Sequence, residues 1–100
     1  MTNPSPDWIA DAVYAQLLKL APREVNPAGV DASSRLIEDL GLDSMKFVDL
    51  TVGLEEALGI PEFPMQDWVD ALVARDEPLR AGALIAACEA LVGVGAAESR

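Results

Sequence analysis

Residues 40–59, LGLDSMKFVDLTVGLEEALG, predict the central helix of an all-helical domain. Asp43 can cap its first turn and Gly59 suits the position just past its last turn, so the helix should run from about Ser44 to Leu58. At about 100° per residue, one sector of this helix collects several apolar residues, which is the pattern of a core-facing side. The residues in that sector are Phe47, Leu50, Thr51, Leu54 and Leu58.

The same helix carries a second apolar stripe, formed by Met45, Val48 and Val52. A surface helix needs only one stripe to reach a core. Either the helix is buried on two sides, or the second stripe is exposed for docking to another protein. Residues 37–77 hold 11 acids and two bases, which favours docking to a basic partner. The carboxylates that flank the stripe are Asp49, Glu55 and Glu56.

The flanking segments predict three further helices. A first helix begins after a Ser5 N-cap and ends near Leu20, and a long loop follows over residues 21–35. A shorter third helix should span about 64–74, and a last helix should begin near residues 76–78 and end before the glycines at 93–95. The apolar residues expected to pack inward are Ile9, Val13, Leu17, Leu20, Leu36, Ile37, Leu40, Met65, Val69, Leu72, Leu79, Leu84, Ile85, Cys88, Leu91 and Val92.

These elements predict a small antiparallel four-helix bundle, with three major helices, a shorter third helix and a long loop after the first. The length of 100 residues suggests one domain over residues 1–100, with flexible tails at about 1–4 and 94–100. No apolar run approaches the roughly 18 residues of a membrane-spanning helix. The N-terminus is acidic and broken by prolines, unlike a signal peptide, so the expected location is the cytoplasm. We also expect a monomer.

The formal charge of −10 and the absence of histidine exclude several classes of function. Nucleic acids and anionic membranes both require a basic face, so neither is an expected partner. Without histidine the chain has no His-based acid–base catalysis, no Ser-His-Asp triad and no typical zinc site, and we expect neither an enzyme nor a metal protein. Cys88, the one cysteine, cannot form an internal disulfide and is expected to be a buried structural thiol.

Ser44 has two candidate roles. Asp-Ser before a helix is a common cap, because both side chains accept hydrogen bonds from backbone N–H groups. Here Asp43 can do the capping, which leaves the Ser44 hydroxyl free in the first turn. The N-terminus of a helix, with its unpaired N–H groups and positive dipole end, is a suitable place for an attached phosphodiester.

The residues around Ser44 resemble the acyl carrier protein family. The resemblance rests on Leu40-Gly41-Leu42-Asp43-Ser44-Met45, followed by Val48-Asp49-Leu50 and Leu54-Glu55-Glu56. It extends over most of the chain, because the first helix, the long loop, the acidic second helix and the terminal helix occur in the same order. The Asp-Ser-Met tripeptide alone is a weak signal, whereas the extended string in a small acidic helical chain is specific.

The resemblance implies that Ser44 receives 4′-phosphopantetheine from coenzyme A through a phosphopantetheinyl transferase. The arm then carries an acyl, aminoacyl or peptidyl group as a thioester to loading and transferring enzymes with basic docking surfaces. The residues that it implies for partner docking are Asp43, Met45, Val48, Asp49, Val52, Glu55 and Glu56. The second hypothesis is an unmodified acidic helical protein that binds a basic partner. A small carboxylate-based enzyme is a distant third hypothesis.

Three departures from the family pattern point away from a general fatty-acid role. Lys46 is basic where acidic or neutral residues are more usual, and Phe47 is bulkier than the expected small residue. The segment over residues 61–77 is longer than in a typical fatty-acid carrier. These features suggest a dedicated carrier of the secondary-metabolite type.

Overall fold

Four α-helices form a bundle in a computed structural model of the chain, which describes the backbone of residues 7–98 and the side chains of residues 8–92. The helices are α1 (Asp7–Leu20), α2 (Ser44–Leu58), α3 (Met65–Ala74) and α4 (Ala81–Glu98), with a short 3-10 helix at Pro27–Gly29. Over the described backbone there is no strand, only an isolated bridge between Arg35 and Arg80. The predicted all-α four-helix bundle is confirmed.

The core lies between α1, α2 and α4, because α1 packs along both of the other helices. Most of the predicted core residues are buried, and three further residues join them, Leu42, Phe63 and Ala81. The prediction that Ile37 packs inward was wrong, because its side chain is 49% exposed. Leu36 and Leu40 are buried and anchor the loop. The buried apolar residues are Ile9, Val13, Leu17, Leu36, Leu40, Leu42, Leu50, Leu54, Leu58, Phe63, Met65, Leu72, Ala81, Leu84 and Cys88.

The long loop is fastened to the start of α4 by three backbone hydrogen bonds. Leu36 N–H donates to Leu79 C=O at 2.8 Å, and the first two N–H groups of α4, on Ala81 and Gly82, donate to loop carbonyls at 2.9 and 2.8 Å. A Cβ atom on Gly82 would lie 3.0 Å from the Ala32 carbonyl oxygen, so glycine permits this close approach. The loop carbonyls therefore cap α4 in place of a side chain.

The sequence predicted that α4 begins near residues 76–78, but α4 begins at Ala81. The bonds to the loop explain this difference. The segment before Ala81 is extended in order to pair with the loop. At its other end, α4 continues to Glu98, through most of the segment predicted to be a tail. The high helix propensity of the repeated alanines offsets the low propensity of the two glycines in this part of α4. The Ser5 cap and the predicted tail at residues 1–4 lie outside the described residues.

The turn after α3 holds an aspartate in a conformation that favours glycine. Asp76 has φ of 56°, while Asp76 N–H donates to Val73 C=O and Glu77 N–H donates to Leu72 C=O, which together form a Schellman motif. The left-handed conformation costs a non-glycine residue about 1–2 kcal/mol.

We therefore expect Asp76→Gly to raise the free energy of unfolding by about 1 kcal/mol, measured by urea denaturation. Asp70→Gly is the matched control. It lies inside α3, where glycine should instead lower the free energy of unfolding by about 1 kcal/mol. A destabilised Asp76→Gly variant would show that this turn does not need the left-handed conformation.

Candidate functional site

Asp43 and Ser44 have different roles at the start of α2. Asp43 is the N-cap: its Oδ1 accepts a hydrogen bond from the Lys46 backbone N–H at 2.9 Å, and its own carbonyl accepts from Phe47 N–H at 2.9 Å. Gly41, with φ of 73°, turns the chain just before the cap, and Leu42 anchors it in the core. The start of α2 is therefore held in place without any help from the Ser44 side chain.

Ser44 is the first residue of α2, and its side chain is exposed. Over the side chains of residues 8–92, the Ser44 hydroxyl has no hydrogen-bond partner within the protein. The hydroxyl thus stands in solvent at the positive end of the helix dipole, where an added phosphodiester is tolerated.

The second apolar stripe of α2 is exposed. Met45, Val48 and Val52 are 74%, 61% and 49% exposed, whereas Leu50 and Leu54 on the other stripe are fully buried. The interpretation of α2 as a helix buried on two sides is therefore wrong. A run of exposed apolar side chains beside an exposed serine is a candidate docking surface, which we call the α2 stripe.

The carboxylates beside the α2 stripe are not equivalent. Asp49 and Glu56 are exposed and extend into solvent. Glu55 is partly buried, and its Oε2 accepts a hydrogen bond from the backbone N–H of Phe63 at 2.9 Å. The structure thus brings most of the predicted docking residues together on an open surface, while Glu55 turns toward the segment that leads into α3.

A groove of about 460 Å³ opens beside Ser44, between α2 and α3. Its lining residues are Ile37, Ser44, Phe47, Val48, Thr51, Met65, Gln66, Val69 and Leu79. The Thr51 hydroxyl donates to Phe47 C=O at 2.8 Å, and Gln66 Nε2 donates to Asp70 Oδ1 at 2.9 Å. The Thr51 and Gln66 side chains of the groove therefore each already donate a hydrogen bond within the protein. Sequence reasoning missed this groove, because Ile37 and Leu79 reach it from distant segments.

Cys88 takes no part in this site. It is fully buried in α4, and burial raises the pKa of its thiol to about 12, with Glu89 acting in the same direction. A thiol of this kind is a poor nucleophile at neutral pH. Among the described side chains, no group of three His, Cys, Asp or Glu residues is arranged to hold a metal ion.

Comparison with known proteins gives the family. A sequence profile described as "Phosphopantetheine attachment site" matches residues 7–71, which include α1, the long loop, Ser44 and all of α2. Two relatives that the chain matches are named acyl carrier protein. The chain belongs to the acyl carrier protein family. Carriers of this family hold 4′-phosphopantetheine covalently and are not themselves enzymes.

Two relatives of this carrier are the acyl carrier proteins of Campylobacter hominis and Wolinella succinogenes. The first is 42% identical over 52 residues, which are 52% of this chain and 58% of the relative. The second is 39% identical over 61 residues, which are 61% of this chain and 71% of the relative. The match thus spans little more than half of the first relative's length. No solved structure matches the carrier. Within its described residues, none of the helices is both long and apolar enough to cross a membrane.

Proposed function

We propose that this carrier holds 4′-phosphopantetheine on the Ser44 Oγ and presents a thioester-bound intermediate to successive enzymes. The single observation that carries the proposal is the exposed Ser44 hydroxyl, which is free because Asp43 supplies the cap. A phosphopantetheinyl transferase would take the proton from the Ser44 hydroxyl while Ser44 Oγ attacks the phosphate of the arm in coenzyme A. The pyrophosphate bond of coenzyme A breaks, and adenosine 3′,5′-bisphosphate leaves. The flexible arm then raises the effective concentration of its cargo at each partner enzyme.

We propose the α2 stripe as the surface that the transferase and the later enzymes contact. Exposed apolar side chains supply affinity, and the surrounding carboxylates set the register with a basic partner. Exposure of Met45 and Val48 next to Ser44 supports this, because a partner that contacts them stands close to the modified hydroxyl. Asp43, Asp49 and Glu56 supply negative charge on the same surface.

Val48→Glu should lower kcat/KM for loading of Ser44 by a transferase by about tenfold, because a charge replaces an apolar contact at the interface. Circular dichroism should show no loss of helix, because Val48 is 61% exposed. Val73→Glu is the matched control: Val73 is 65% exposed on α3, away from the α2 stripe, and loading should be unchanged. Equal effects of the two variants would contradict the docking surface.

We further propose that the cargo is an apolar acyl group. The groove beside Ser44 is lined mainly by apolar side chains, and its two polar side chains besides Ser44, those of Thr51 and Gln66, each already donate a hydrogen bond within the protein. It therefore offers an aminoacyl or peptidyl group little to pair with, while an alkyl chain loses about 0.8 kcal/mol of unfavourable hydration per buried methylene.

This cargo class is tested by comparing the thermal stability of three loaded forms, with a free thiol arm, an octanoyl thioester and an alanyl thioester. The octanoyl form should have a Tm higher by about 4 °C or more than the free arm, because the chain binds only the folded state. The alanyl form should match the free arm. Equal Tm values for all three would contradict an apolar cargo site in the groove.

Two broader parts of the proposal concern the pathway and the compartment of the carrier. Phe47 lines the groove together with Met65, Gln66 and Val69 from the long segment over residues 61–77, which supports a dedicated pathway with its own cargo. The single cysteine, Cys88, is a free buried thiol, which fits a carrier in a reducing compartment such as the cytoplasm.

A further inference from the structure

The Glu55 side chain joins α2 to the segment that leads into α3. Its Oε2 accepts a hydrogen bond from Phe63 N–H at 2.9 Å, across eight positions of the chain. Over residues 8–92, no other side-chain hydrogen bond connects α2 with this segment. The Glu55 backbone carbonyl also accepts hydrogen bonds from Gly59 and Ile60. One residue thus fixes both the end of α2 and the approach to α3.

Besides the bond to Glu55, few hydrogen bonds hold this segment. Two of its residues, Pro61 and Pro64, have no N–H group to donate. Phe63 places its side chain in the core, and its carbonyl accepts from Met65 N–H at 2.8 Å at the first residue of α3. The hydrogen bond from Phe63 to Glu55 therefore acts directly on the position where α3 starts.

Among the described residues, α3 packs less closely against the other helices than α1 does, and only Met65 and Leu72 of α3 are buried. Met65 and Val69 form the wall of the groove that faces Phe47 on α2. A helix with few buried side chains depends on its connections for its position. Loss of the Glu55 bond would therefore release the far wall of the groove more than the rest of the fold.

We infer that Glu55 is a positioning residue, which holds α3 as the far wall of the groove through its bond to Phe63 N–H. This role is distinct from the charge on the docking surface that the sequence predicted for Glu55, and its importance for cargo rests on the proposed function. Glu56, the next residue, supplies the matched comparison: it has the same charge, is exposed and has no hydrogen bond to this segment.

The test compares Glu55→Ala, Glu55→Gln and Glu56→Ala with the unchanged chain, all without the arm, by amide hydrogen exchange. Glu55→Ala should speed exchange of Phe63 and of the α3 amides by roughly tenfold or more, with the α1 amides unchanged. Glu55→Gln should retain most of the protection, because its carboxamide oxygen still accepts the bond. Glu56→Ala should exchange like the unchanged chain.

Three results would overturn the positioning role. The α3 amides of Glu55→Ala could exchange no faster than those of Glu56→Ala. The exchange rates of Glu55→Gln could match those of Glu55→Ala, which would show that the negative charge of Glu55, and not its hydrogen bond, protects the α3 amides. The α1 amides could accelerate as much as those of α3, which would show a general loss of stability. None of these readouts needs a loaded Ser44, so they are independent of whether the carrier function holds.

A second readout connects the bond to cargo. If the octanoyl form of the unchanged chain has the raised Tm described above, Glu55→Ala should lose most of that rise, while Glu56→Ala and Glu55→Gln keep it. Retention of the full rise in Glu55→Ala would contradict the proposed link between Glu55 and the groove. Failure of every chain to accept the arm would instead contradict the proposed function.

Discussion

Ser44→Ala is expected to abolish loading of the carrier completely while leaving its fold intact. The variant removes the only atom to which the arm is proposed to attach, so incubation with a phosphopantetheinyl transferase and coenzyme A should give no increase in intact mass. The Asp43 cap remains, and the Ser44 side chain is exposed. The free energy of unfolding should therefore change by no more than about 0.5 kcal/mol.

Ser33→Ala is the control for this variant. Ser33 is an exposed serine in the long loop, where its hydroxyl donates to Asp31, and its loss should leave loading unchanged. Loading that persists in Ser44→Ala would place the attachment elsewhere. Loss of helix in Ser44→Ala would show that Ser44 is needed for the cap and that Asp43 is not sufficient.

Leu54→Ala is expected to be the most destabilising single change considered for this carrier. Leu54 is fully buried on the core face of α2, and truncation of such a leucine costs about 2–5 kcal/mol through lost burial and the cavity left behind. In a domain of this size, the Tm should fall by more than about 8 °C, as followed by circular dichroism.

Val48→Ala is the matched change on the other stripe of α2. Val48 is 61% exposed, and alanine is a better helix former than valine, so the free energy of unfolding should stay the same or rise slightly. The pair of variants thus separates the core face from the α2 stripe. Similar losses of stability in both variants would mean that the second stripe is packed against the protein after all.

Much of the fold could be predicted because the strongest signals lie close together in the sequence. The helical period of α1 and α2, the Asp43 cap and the glycine after α2 are local features, and the structure places the end of α1 and both ends of α2 at the predicted positions. The division of α2 into two stripes follows from the same period. The helical period does not show whether other segments cover the second stripe. That depends on how the whole chain packs.

Apart from the end of α4, the wrong or missing predictions depend on contacts between distant segments. The start of α4 is displaced because residues 79–82 pair with the loop. Ile37 was assigned to the core although it lines the groove, and Phe63 was not assigned to the core although it is buried. The Glu55 bond to Phe63 depends on how the segment between α2 and α3 turns, which no local pattern reveals.

The most direct test of the carrier function is the intact mass of the unmodified chain after incubation with coenzyme A and a broad-specificity phosphopantetheinyl transferase. We predict a mass increase of one phosphopantetheinyl group per chain, located on Ser44 by peptide mapping, and one thiol that reacts in the native state, since Cys88 is buried. No increase in mass in a sample that is helical and folds cooperatively would contradict the carrier function.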